Sequence, residues 1–278
     1  MPTRQKTVPQ GKLQAPWWAS RTVKGILYKL YERRLLADVS QRPLPQHLGL
    51  IQDGHRRYAR TRQLSDLKEG YNLGAAKTKE VLHWCVGLGI KQITLWWLST
   101  ENLARDPDDV AAVLSVIEEK LDEWIQSGLT ERLGIQIRPI GKLDLLPASA
   151  VEALKRAESA TQTHSRIQLN VGVGYGGRQE IVDAVKGYLE DSFAQGHSAA
   201  DILDGFSPDV VDNYLYTNGP DPDLIIRTSG ELRLSGFMLW QSAFSEFYFC
   251  DVYWPEFRKI DFLRAIRSYQ QRQRRFGK

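Results

Sequence analysis

Three clusters of charged and hydroxyl side chains stand where apolar runs end. The longest is Asp223-Leu-Ile-Ile-Arg227-Thr-Ser-Gly-Glu231-Leu-Arg233-Leu-Ser235-Gly, which follows a buried-strand run from Leu224 to Ile226 with Arg227, Arg233 and Ser235. Two guanidiniums, a hydroxyl and turn amides at one strand end suit a phosphate or diphosphate. Two arginines on a solvated loop are the bland alternative. A second run, His47 to Asp53, ends in Asp53-Gly54-His55-Arg56-Arg57-Tyr58 at an expected helix start. Helix N-termini offer free amides to anions, and Gly54 lets the backbone approach a ligand closely. Asp53 reads either as an N-cap or, beside two arginines, as a carboxylate for a Mg²⁺–diphosphate site, where magnesium takes few protein carboxylates and shares substrate oxygens. The third run, Gln92 to Leu98, ends in Ser99-Thr100-Glu101-Asn102-Leu103-Ala104-Arg105. Glu246 stands alone among aromatics between Phe237 and Phe249, where an acid is costly unless paired or metal-bound.

The elements that must position these clusters alternate. Strands are expected at 47–53, 92–98, 135–140, 167–173 and 223–226, with the apolar run to Phe249 as a further one. Helices are expected at 73–87, from Asp106-Pro107 to Ser127, at 147–161, 179–192 and 261–275, with short ones over 198–216. Strands alternating with helices imply a single α/β domain: a mostly parallel sheet of about six strands, flanked by helices. Gly172, Gly174 and Gly177 satisfy G-x-G-x-x-G between a strand and a helix, with Asp191 near the ribose-binding distance. A lone match is weak, and the glycines read better as a tight strand–helix turn.

The chain has 278 residues and a net charge of +4. Residues 1–42 form a basic arm, disordered at first, then an amphipathic helix from about Trp17 to Val39 with Trp17 and Trp18 at its head; residues 43–278 form the domain that holds the clusters. A basic helix with tryptophans can lie on a membrane, and packing on its own domain is the stronger alternative. Nucleic acid is not the expected partner of the arm. Cys85 and Cys250 read as core thiols, not a disulfide framework. No apolar run reaches the ~18 residues that span a bilayer, and no signal-peptide pattern is present. A cytoplasmic protein is expected, with peripheral membrane contact through the arm as the option left open.

Together the clusters resemble the cis-prenyltransferases, the undecaprenyl diphosphate synthase family. Asp53-Gly-His-Arg-Arg-Tyr-Ala59 resembles its Asp-Gly-Asn-x-Arg-Trp-Ala motif, and Ser99-Thr-Glu-Asn-Leu-Ala-Arg105 its Ser-x-Glu-Asn-x-x-Arg motif. Tyr175–Arg178, Asp223–Ser235 and Leu239–Phe249 match three more motifs in order, and Arg275-Phe-Gly277 matches a C-terminal Arg-x-Gly. The sequence is most like the short-chain actinobacterial members, which make Z-farnesyl diphosphate.

The resemblance implies a Mg²⁺-dependent enzyme that joins isopentenyl diphosphate to an allylic diphosphate, with an apolar tunnel between sheet and helices. It implies that Asp53 and Glu246 hold the metal, and that Asp53, Asn102 and Ser99 serve catalysis. Gly54, His55, Arg56, Arg57 and Tyr58 would cradle the allylic diphosphate, supported by Arg105, with Thr100, Glu101 and Leu103 beside them. Arg227, Arg233 and Ser235 would bind isopentenyl diphosphate. The family is homodimeric, so Arg275 and Gly277 would reach the neighbouring site.

The departures inform as much as the matches. His55 stands for the first motif's asparagine and Tyr58 for its tryptophan; Tyr71 takes a histidine's place, and Leu67 falls near an arginine's. Trp97 occupies a position where long-chain members carry a small residue facing the tunnel. An indole there, or at Trp96 if alternation turns Trp97 away, stops a growing chain at C10 or C15. Irregular head-to-middle coupling of allylic units, a long-chain synthase and a non-catalytic partner subunit are the alternatives.

Overall fold

The computed structural model describes residues 21–217 and 219–272. In chain order these form α1 (Arg21–Ser40), β1 (His47–Ile51), α2 (His55–Arg62), α3 (Leu67–Leu88), β2 (Gln92–Ser99), α4 (Pro107–Gln126), α5 (Leu129–Leu133), β3 (Ile135–Ile140), α6 (Ala148–Thr161), β4 (Ile167–Tyr175), α7 (Gly177–Ala194), α8 (Ala199–Gly205), α9 (Pro208–Tyr214), β5 (Leu224–Arg227), β6 (Glu246–Phe249) and α10 (Lys259–Gln271). The six strands make one sheet in the order β3-β4-β2-β1-β5-β6. Every neighbouring pair is parallel.

Parallel strands buried on both faces read as continuous apolar runs, because helices cover each side. Every residue of β1 and of β5 is buried. Leu48, Leu50, Leu224 and Ile226 face a large core shared with α3, α4, α6 and α10; Ile51 and Ile225 face a smaller one built on Phe237, Met238 and Tyr175. Phe237 lies so close to β1 that a Cβ on Gly49 would come within 2.9 Å of its ring.

Helix starts follow local chemistry. The Asp106 carboxylate accepts from Asp108 N at 2.9 Å ahead of Pro107, as the sequence leads one to expect. Helix α3 begins six residues before the expected Leu73, because Asp66 caps it by accepting from Glu69 N at 2.7 Å. That earlier start brings Tyr71 onto the helix.

Helix α1 packs against α10 through Leu35 and Val39, which are buried in the main core. Gln270 Nε2 donates to Val39 O at 2.8 Å, and Lys259 pairs with Glu32 at 3.3 Å. Trp17, Trp18, Arg275 and Gly277 lie outside the described residues. Among the described residues, no helix is long and apolar enough to cross a membrane.

Candidate active site

All six strands point the same way, so the turns after β1, β2 and β5 converge at one edge of the sheet. Ile51 is level with Trp96 and with Arg227. The three clusters therefore meet, and they line a cavity of about 570 Å³.

At the tip of β1, the backbone of Asp53 is fixed by Thr228: Asp53 N donates to Thr228 Oγ1 at 3.0 Å, and Thr228 Oγ1 donates to Asp53 O at 2.8 Å. The Asp53 carboxylate then lies 3.0 Å from Arg227 Nη2 and 3.3 Å from Arg57 Nη2. Burial alone would raise its pKa, but the hydrogen bond and charge of Arg227, with the charge of Arg57, hold it below the usual carboxylate range. It is an anion at neutral pH.

The residues after β5 wrap around the same point. Arg227 Nη1 donates to Ser235 Oγ at 2.8 Å and to the carbonyl of Arg233. Arg233 Nε donates to Ser235 Oγ at 3.2 Å. Ser229, Gly230, Ser235 and Gly236 all have positive φ, so this loop turns tightly and brings both guanidiniums to one side. Opposite, Gly54 sits at φ 108 and starts α2. A Cβ there would meet Tyr253 at 2.8 Å, so the position is held open by glycine. Arg56 and Arg57 follow in the first turn, and Arg60 lies one turn later on the same cavity wall. Arg56 Nε and Arg227 Nε are buried without a hydrogen-bond partner. Six arginines line the cavity, Arg56, Arg57, Arg60, Arg105, Arg227 and Arg233, against two lining carboxylates, Asp53 and Glu101, with Glu231 pairing Arg57 and Arg233 from the loop after β5. That excess of guanidiniums, two with such an orphaned donor, makes a site for a polyanion.

After β2, Ser99 and Asn102 hold each other: Asn102 N donates to Ser99 Oγ at 3.1 Å, and Ser99 N donates to Asn102 Oδ1 at 3.4 Å. Both line the cavity with Glu101 and Arg105. Arg56 is held by Asp109 at 3.0 Å. Tyr71 lies within reach of Arg105, and burial raises its phenol, which stays neutral. His55 is also neutral: burial pushes it down to about 4 against the opposing Asp53 charge and Gln52 carbonyl.

Below the polar mouth lies a second, smaller cavity of about 50 Å³ between the sheet, α3 and α4, lined by Ala75, Thr78, Val113, Val116 and Ile117 among others. The sequence offers Trp96 or Trp97 for this space, on the ground of strict alternation. Both line it. A bulge between Trp96 and Leu98 inserts Trp97 as an extra residue, which breaks the two-residue period. Trp97 meets Trp124 of α4 edge-on at 5.9 Å, and Trp96 stacks on Phe237 at 5.5 Å.

Four expected residues fall elsewhere. Tyr58 turns to the Arg62 guanidinium, 5.8 Å from its ring. Thr100 packs against Gly176, and Leu103 against the core near Gly174. None of the three is among the cavity-lining residues. Glu246 is the larger correction. It opens β6, level with Leu224 and therefore at the far end of the strands from Asp53, and it pairs with Arg272. Within one chain it cannot share a metal with Asp53, and its ion pair answers the cost of placing an acid in that run. Among the described residues there is no group of three or more His, Cys, Asp or Glu suited to a metal ion. Arg60 was not expected, although its spacing from Arg56 and Arg57 on one helix is the signal.

The sequence matches, over residues 51–277, the model of a family described as putative undecaprenyl diphosphate synthase. It is 51% identical over 252 residues to a (2Z,6E)-farnesyl diphosphate synthase of Thermobifida fusca, covering 90% of this chain and 97% of that protein. It is 50% identical over 253 residues to an isoprenyl transferase of Thermus thermophilus, covering 91% and 96%. A crystal structure of lavandulyl diphosphate synthase from Lavandula x intermedia in complex with dimethylallyl diphosphate is similar at TM-score 0.79 and 33% identity, over 87% of this chain and 100% of that one.

Proposed function

The chain belongs to the undecaprenyl diphosphate synthase family of prenyltransferases, and from that premise we propose that it makes a short Z-prenyl diphosphate of C10 to C15, such as (2Z,6E)-farnesyl diphosphate. The substrates are isopentenyl diphosphate and a short allylic diphosphate. The observation that carries this reading is the pairing of an arginine-lined mouth with a small apolar cavity walled by Trp96 and Trp97. The name of the Thermobifida fusca relative supports the same chain length.

In this reading Gly54, His55, Arg56 and Arg57 cradle the allylic diphosphate, and Arg227, Arg233 and Ser235 hold isopentenyl diphosphate. The allylic C–O bond breaks, and diphosphate leaves with the electron pair. A carbon–carbon bond forms to the terminal alkene carbon of isopentenyl diphosphate, and the proton lost from its C2 departs beside Ser99 and Asn102. The guanidiniums stabilise the charge that grows on the leaving group. The donor set fits Mg²⁺ of the kind that is bound mostly by diphosphate oxygens and water: few carboxylates face the polyanion site, and Asp53 is the one that Arg227 and Arg57 hold as an anion. Bound there, the metal would neutralise diphosphate charge. A homodimer in which Arg275 and Gly277 reach the neighbouring site belongs to the same proposal, as does a cytoplasmic enzyme; the packing of α1 on α10 favours an arm docked on its own domain over one that touches a membrane.

The test is incubation with Mg²⁺, labelled isopentenyl diphosphate and, separately, dimethylallyl, geranyl and farnesyl diphosphates. Products are resolved by length and double-bond geometry. A C10 or C15 Z-product supports the reading, and products of C50 or longer overturn the length. The similarity to lavandulyl diphosphate synthase and the His55 departure favour a second reading, irregular coupling of allylic units. Consumption of dimethylallyl diphosphate alone would select it.

A further inference from the structure

We propose that Gly74 determines how long a prenyl chain the site accepts, by giving the His55 side chain its resting place against α3. This rests on the proposed prenyl substrate. The polar mouth and the apolar cavity share six residues, Gln52, His55, Tyr71, Trp96, Trp97 and Val113, which form the neck between them. An allylic substrate with its diphosphate in the mouth passes its hydrocarbon through this neck.

His55 is the neck residue whose position depends on the absence of a neighbour's side chain. Its ring lies 5.6 Å from that of Tyr71 and is seated on the backbone of Gly74. A Cβ at Gly74 would lie 2.1 Å from His55 Nε2 and 2.3 Å from Cδ2, contacts that no side chain tolerates. Gly74 lies within the 22-residue helix α3, where glycine costs about 1 kcal/mol relative to alanine. Its φ is not among the positive glycine values, so the backbone does not require glycine there; the packing does. The other side of the position is closed as well. Trp254 Cδ1 would be 3.2 Å from the added carbon, and Trp254 is itself buried, stacked on Phe257, with Nε1 donating to Gly74 O at 2.9 Å. A side chain at position 74 therefore moves the imidazole toward the neck. Removing the imidazole leaves the Gly74 backbone as the neck wall and widens it.

The experiment compares the wild type with Gly74→Ala, His55→Ala and the double variant. It reads kcat/KM for geranyl over dimethylallyl diphosphate, and calorimetric binding of unreactive dimethylallyl, geranyl and farnesyl thiolodiphosphates. Gly74→Ala is expected to lower the geranyl-to-dimethylallyl ratio by about tenfold or more, the range of core overpacking. His55→Ala should raise farnesyl-analogue affinity relative to dimethylallyl, and the double variant should regain the geranyl-to-dimethylallyl ratio. Unchanged ratios in a folded Gly74→Ala, or a loss that His55→Ala does not relieve, would overturn the proposal. Should Gly74→Ala not fold, His55→Ala decides: an unchanged farnesyl-to-dimethylallyl binding ratio overturns it. A wild type that turns over and binds none of these compounds defeats the proposed function itself, an outcome separate from a working enzyme with unmoved ratios.

Discussion

Asp53 Oδ2 lies 3.0 Å from Arg227 Nη2, at the tips of two neighbouring parallel strands. The guanidinium is almost fully buried, with 5% of its side chain exposed, whereas the carboxylate keeps 31%. Arg227 needs an anion, and Asp53 supplies one within the chain while remaining open to the cavity. Asp53→Asn should then do two things. Activity should fall at least a hundredfold, the scale of losing a group that acts on transition-state charge. The free protein should lose about 1–3 kcal/mol, less than a fully buried pair because the carboxylate is partly solvated. Inorganic diphosphate, melted with the variant in the presence of a chelator, should restore most of that loss by pairing with Arg227, Arg57 and Arg233. An unchanged melting temperature in the free variant would show that the pair is not what balances Arg227.

Trp97→Ala should lengthen the product. The indole lies between the neck and Trp124, so its removal opens space toward α4. Chain-length analysis should show a shift beyond the wild-type product, with stability lower by about 1–3 kcal/mol, less than for a fully buried aromatic because Trp97 is half-buried. Trp97→Leu should give an intermediate length. If both variants keep the wild-type product, the stop lies elsewhere along the neck.

Strand positions were legible because each reads as an apolar run ending in polar residues, and three such ends converge once the strands are parallel. What stayed hidden depends on register and direction. Glu246 looks like a site residue because an acid among aromatics asks for a partner; that the partner is Arg272, at the opposite sheet edge, follows from β6 pairing with Leu224. The choice between Trp96 and Trp97 assumed an unbroken pleat, and the bulge removes that assumption. The true start of α3 was marked by Ser65-Asp66-x-x-Glu69, a capping pattern outweighed by the later apolar spacing. The seat of His55 on Gly74 joins residues 19 apart through the packing of α2 on α3, which no local pattern encodes.

Arg60→Ala separates binding charge from reacting charge. Arg60 is exposed at the cavity wall, one turn beyond Arg56 and Arg57. It should attract the diphosphate equally in ground and transition states, so KM for the allylic substrate should rise about three- to tenfold with kcat little changed. The effect should shrink as salt rises from 50 to 300 mM. A fall in kcat with constant KM would instead place Arg60 on the leaving group.

Acid should weaken the fold through His47. The ring is fully buried between two fixed partners: Nδ1 lies 2.7 Å from Pro220 O, and Nε2 lies 2.8 Å from Thr94 Oγ1. Asn170 Nδ2 donates to that same Thr94 oxygen at 3.0 Å, so the single threonine proton is directed to Nε2, and Nδ1 carries the imidazole proton. A second proton on the ring would collide with this arrangement. Burial pushes the pKa down to about 4, only partly opposed by the Pro220 carbonyl and the Asp223 charge. The unfolded chain titrates near 6.5, so between 6.5 and 4 it binds the proton that the folded chain refuses. Stability therefore falls as pH drops through that window, by about 2 kcal/mol at pH 5 for this one residue. His55 acts in the same direction over the same range. Urea unfolding at pH 7.5 and pH 5.0 measures the loss. His47→Gln, which keeps a donor and an acceptor but cannot titrate, should be less stable than wild type at pH 7.5 yet lose about 2 kcal/mol less on acidification. An identical acid loss in wild type and variant would mean that His47 accepts its proton while folded.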